Sequence, residues 1–98
     1  MFAFGTIEDQ KFVFVQNRKK HVYTWADVKT AREFWESVKN RYHLYEIDND
    51  LSCARLIEIG GNEEAPLEVT LDEDQKLLLY KSYVYKSLLA WFPPEEML

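Results

Sequence analysis

Residues 2–7 (FAFGTI) and 11–16 (KFVFVQ) are rich in Phe and Val and alternate weakly, the pattern of strands buried in part on both faces. Glu8, Asp9 and Gln10 connect them without the Gly that marks the tightest hairpins. A turn at 17–19 leads into a third strand at 20–24, whose His21 and Tyr23 lie on the face opposite Val22. The hydrophobic period then changes. Val28, Ala31, Trp35, Val38 and Tyr42 recur at spacings of three and four, and Lys29 with Glu33 and Arg32 with Glu36 pair on the other side, so an amphipathic helix is predicted. Thr24 is its expected N-cap, with Asp27 completing a variant capping box, and Asn40 its expected end.

A second hairpin is expected from 42–47 (YHLYEI) and 53–59 (CARLIEI) around Asp48, Asn49 and Asp50, whose short side chains favour turns. Gly60 and Gly61 break that pattern, and 67–70 reads as a short edge strand. Thr70 with Glu73 forms a capping box that opens a long helix from Leu71 to about Trp91, stopped by Pro93 and Pro94, with a loose tail at 93–98. At 100° per residue, Leu77, Val84, Leu88 and Trp91 share the core meridian, while Leu79, Tyr83 and Ala90 lie on the far side, where a monomer would expose them. The fold class is α+β: an antiparallel sheet of about five short strands with two helices packed on it, in the order β-β-β-α-β-β-α, as one domain over 1–98.

Composition narrows the class. A chain of 98 residues that is 47% hydrophobic, with three Gly and three Pro, is neither disordered nor fibrous and supports one core without metal or disulfide staples. The single cysteine, Cys53, and the absence of a secretory pattern point to a cytoplasmic setting. No uninterrupted apolar run approaches membrane-spanning length, because Lys81, Ser82, Lys86 and Ser87 break the densest one, so no membrane association is expected. The net charge of −5 hides an asymmetry. Residues 1–49 carry eight bases and seven acids, whereas 50–98 carry four bases and ten acids, with no base between 56 and 75.

Candidate chemistry is sparse. His21, His43 and Cys53 are the only imidazole and thiol groups, at spacings that suit no zinc site. In a hairpin with its loop at 48–51, Glu46 faces Cys53 and Leu44 faces Arg55, which puts His43 on the opposite face with Tyr45, Ala54 and Leu56 and separates it from the thiol. Asp48, Asp50 and Ser52 begin like a calcium loop, but Cys53 stands where Gly is required and Ile59 where the closing Glu belongs. Gly60-Gly61 lacks the rest of a phosphate-binding loop. No catalytic residue, metal or cofactor is therefore expected.

What remains are surfaces. The leading expectation is a non-enzymatic interaction module, an inhibitor or adaptor that occupies the surface of a basic protein partner through Glu63, Glu64, Glu68, Asp72, Glu73 and Asp74. A specific version is a phage- or mobile-element-type inhibitor of a nucleic-acid-processing enzyme. Three tyrosines among six residues at 80–85 cannot all be interior, so a homodimer through Leu79, Tyr80, Tyr83 and Lys86 accompanies that reading. The alternatives are a small nucleic-acid-binding protein using Arg18, Lys19, Lys20 and His21, and a structural subunit of a larger assembly. With only three adjacent cations on a net-negative body, nucleic-acid binding would be weak and salt-sensitive.

Overall fold

In a computed structural model the chain is described at residues 1–61 and 64–84, except for the side chains of Tyr83 and Val84. Seven strands and two helices follow in the order β1 (Phe2–Glu8), β2 (Lys11–Phe14), β3 (Tyr23–Trp25), α1 (Val28–Trp35), β4 (His43–Ile47), β5 (Cys53–Glu58), β6 (Glu68–Thr70), α2 (Glu73–Tyr80) and β7 (Tyr83–Val84). The expected α+β order holds, with β6 at the anticipated edge and β7 added after the second helix.

The sheet runs β6-β5-β4-β1-β3-β7, and β2 pairs with β1 beside this path. β1 is central. It pairs with β4 along one edge, and along the other its first residues meet β3 while Gly5 to Glu8 meet β2. Every pairing is antiparallel except β3 with β7. The β1–β2 turn is tighter than the sequence suggests: Glu8 pairs with Lys11, and Asp9 and Gln10 both take positive φ, 51° and 67°, as a two-residue hairpin of right-handed twist demands. Gly5 has a packing reason, since a Cβ there would meet the Phe12 ring at 2.5 Å and the Tyr45 ring at 3.1 Å.

Successive residues of β1 and β4 point to opposite faces and divide the core in two. Phe4 and Leu44 pack with Tyr23, Trp25, Ala31, Phe34, Trp35 and Val38 under α1. Trp25 lies 4.5 Å from the Phe4 ring and 5.3 Å from that of Phe34, centroid to centroid. Ala3 and Tyr45 belong to the other face, with Phe14, Ile47, Ala54 and Leu71, where Leu79 of α2 and the half-buried Leu78 close the layer.

Both helices start later and end sooner than the sequence pattern suggests. Thr24 and Trp25 are fully buried strand residues paired with Ala3 and Phe2, so Asp27, not Thr24, caps α1 by accepting the Lys29 and Thr30 amides. After Trp35 the chain continues through tighter i→i−3 bonds, from Val38 N to Trp35 O and from Arg41 N to Val38 O, and this connection replaces the expected helix to Asn40. Asp72 with Gln75, not Thr70 with Glu73, forms the capping box of α2, because Thr70 is held in β6 opposite Cys53.

The long helix expected from Leu71 to Trp91 is not formed. α2 ends at Tyr80, the Lys81 and Ser82 amides close back onto Leu78 O and Leu79 O, and Tyr83–Val84 completes the edge of β3. The Thr24 hydroxyl donates to Ser82 Oγ at 3.2 Å and ties the turn to that edge. The rest of the expected helix and the expected loose tail at 93–98 lie outside the described residues.

The second hairpin is shifted by two residues from the expected register. Glu46 pairs with Arg55 and Ile47 with Ala54, and the loop occupies 49–52. The Asp48 side chain sets this closure, while Leu51 turns inward at φ 58° and is buried. A two-residue shift preserves side-chain faces, so His43 and Cys53 do lie on opposite faces.

Candidate functional site

The thiol and the imidazoles are built into structure. Cys53 donates to Asp48 Oδ2 at 3.0 Å, which pushes its pKa up and keeps the thiol protonated. Asp48 is held below the usual carboxylate range by that bond first, then by the Ser52 hydroxyl and the Arg55 guanidinium, whose Nη1 lies 2.8 Å away. His43 is fully buried, its Nδ1 accepting the Gly60 amide at 2.8 Å. Burial pushes Tyr45 up to about 12, and its hydroxyl donates to Pro66 O at 2.8 Å. Among the described residues no group of three His, Cys, Asp or Glu side chains could hold a metal. None of the described helices is long and apolar enough to cross a membrane.

The acidic segment is divided between local structure and open surface. Glu68 sits 3.6 Å from Arg55 Nε, Asp72 caps α2, and Glu73 lies 3.6 Å from Lys76 Nζ. Glu73 and Asp74 occupy the first turn of α2, where the helix dipole favours negative charge. Glu64 and Asp74 are exposed and make no ion pair among the described residues. Glu63 lies outside the described residues.

The expected oligomer surface is rearranged. Leu79 is 2% exposed and belongs to the core, which corrects its assignment to an interface. Leu77, which the pattern places on the core meridian, is 55% exposed, and Tyr80 is 75% exposed. The inversion follows from helix length. Because α2 ends at Tyr80, Leu77 gains no extended apolar meridian on it, and Leu71, Leu78 and Leu79 orient the short helix instead. The bond from Gln75 Nε2 to Phe12 O at 3.3 Å holds that orientation. Glu73, Asp74, Leu77 and Tyr80, spaced by three and four, thus form an outward stripe with carboxylates at one end and an aromatic ring at the other. The Tyr83 side chain is not described, and Lys86 lies outside the described residues.

The basic turn has a more definite geometry than its sequence implies. Asn17 Oδ1 accepts the Lys19 and His21 amides at 2.9 and 3.0 Å, and the Lys20 amide donates to Asn17 O at 3.0 Å. Arg18, Lys19 and Lys20 are exposed, with His21 half-buried. Arg18 and Lys20 line a concavity with Arg41 and Tyr42 from the connection between α1 and β4. Arg41 stands over the Tyr42 ring, 5.4 Å from its centroid. Sequence reasoning missed Arg41. It lies more than twenty residues from the turn in the chain, and only the pairing of β1 with both β2 and β4 brings it there. No protein-family model, curated protein or solved structure matches this chain.

Proposed function

We propose that the protein is a non-enzymatic interaction module that docks the outward stripe of α2 onto a basic protein partner. The observation that carries this reading is the exposure of Leu77 and Tyr80, at 55% and 75%, beside Glu73 and Asp74 on a helix that buries only Leu79. An aromatic and an aliphatic anchor ringed by charge suit a desolvated contact centre with a polar rim. The carboxylates supply steering and register toward a cationic surface. The earlier expectation of a broad face from Glu63 to Asp74 narrows accordingly, since Glu68 and Asp72 already serve Arg55 and the helix cap.

A photo-crosslinking amino acid placed at position 80, with position 33 on α1 as the control, tests this in the native cell. The reading requires a discrete product from position 80 that is absent from position 33 and lost when Glu73 and Asp74 are both changed to Lys. A product of twice the chain's mass assigns the stripe to a homodimer instead. Equal yields at both positions, or a product indifferent to the charge reversals, refute it.

A further inference from the structure

The cleft beside the basic turn has the features of a small-anion site. Its volume of about 560 Å³ falls within the roughly 300–1,000 Å³ of small-molecule pockets. Arg18, Lys20 and Arg41 converge on it from two separate connections, and Glu8 is the carboxylate in its lining. Three cations and one carboxylate give the lining a positive balance. Among the described residues neither Lys20 nor Arg41 forms an ion pair, whereas Arg32, Lys39, Arg55 and Lys76 all do.

The walls are set in advance. Asn17 braces the turn through both of its oxygens, and Lys20 is held in the left-handed region at φ 68°, a conformation that a residue with a Cβ adopts at a cost. Arg41 is steered by the Tyr42 ring beneath it, and that ring in turn stacks on the core residue Phe4 at 6.5 Å and 13°. Guanidinium groups offer paired donors that match the oxygens of a phosphate, and Lys adds a point charge. We propose that this cleft binds the dianionic phosphate monoester of a nucleotide-sized small molecule, a role independent of the α2 surface.

The test is an amide NMR titration of the whole protein with 5′-AMP, adenosine, cyclic 3′,5′-AMP and a single-stranded thymidine oligonucleotide. The proposal requires saturable shifts at Asn17, Lys20, Arg41 and Tyr42 with AMP, none with adenosine, and weaker binding of the cyclic monoanion. Lys20→Gly and Arg41→Gln should each weaken AMP about tenfold while leaving the remaining spectrum folded, Gly being suited to the left-handed backbone. Shifts that do not saturate, that are as large with adenosine, or that persist unchanged in both variants overturn the proposal. An oligonucleotide that binds these residues more tightly than AMP also overturns it, by making the cleft a groove for diester backbone.

Discussion

Replacing Leu79 and Leu77 separately with Ala decides which way α2 faces. Leu79 is 2% exposed and closes the layer formed by Ala3, Phe14, Tyr45, Ile47 and Ala54, so truncation opens a cavity beneath α2. Buried Leu→Ala changes cost about 2–5 kcal/mol. The lower half of that range applies here, because α2 spans only Glu73–Tyr80 and can settle toward the sheet. A loss of about 3 kcal/mol lowers Tm by roughly 12–24 °C in a domain of this size. Leu77 is 55% exposed, and its truncation should change stability by no more than about 0.5 kcal/mol. Urea unfolding followed by tryptophan fluorescence, with thermal melts, measures both. Equal losses, or a larger loss for Leu77→Ala, would restore the long-helix orientation in which Leu77 faces the core and would remove the stripe from the surface.

Four further outcomes follow from local geometry. Asp48→Ala removes the acceptor that holds the Cys53 thiol protonated, so alkylation of Cys53 by iodoacetamide at neutral pH should accelerate; an unchanged rate would show that Asp48 does not control the thiol. The folded-state pKa of Asp48 is depressed, so its contribution to stability is present above about pH 4 and is lost as pH falls through the lower folded value. Urea midpoints of Asp48→Asn should therefore fall below wild type at pH 7 and converge with it in acid. Gly60→Ala should cost about 2 kcal/mol or more, because its Cβ would collide with the Tyr42 carbonyl and meet that of Lys39 at 2.7 Å; a wild-type melt would refute that close approach. Lys20→Gly should raise stability by about 0.5 kcal/mol through relief of the left-handed backbone, and a clear loss would contradict the positive φ.

The element order was legible because each strand carries its own aromatic and β-branched run, and the stripe from Val28 to Val38 is strong enough to mark a helix alone. Boundaries were not. Thr24 is a good cap in isolation, yet burying Trp25 between Phe4 and Phe34 outweighs one capping bond, and the strand keeps both residues. The second hairpin formed as expected, but its register shifted for a related reason. Its closure is chosen by the Asp48 carboxylate gathering Ser52, Cys53 and Arg55, and no propensity of the Asp-Asn-Asp run encodes those partners. The cationic cleft was half legible: the run at 18–20 announced itself, whereas Arg41 carried no local signal.

The two surfaces rest on different parts of the chain, so they can be separated by experiment. Charge reversal at Glu73 and Asp74 alters the first turn of α2 and leaves the Asn17-braced turn untouched; it should cost a little helix stability as well, because both acids favour the dipole. Arg41→Gln acts on the connection between α1 and β4, where the backbone is held by Gly61 N donating to Lys39 O at 2.8 Å and by Trp35 Nε1 donating to Tyr42 O at 2.8 Å. Neither bond involves the guanidinium, so the charge can be removed without releasing the wall it stands on. If Arg41→Gln abolished crosslinking at position 80 while Glu73→Lys with Asp74→Lys abolished AMP binding, the surfaces would be parts of one site. Independent losses would establish two, one for a protein and one for a phosphate.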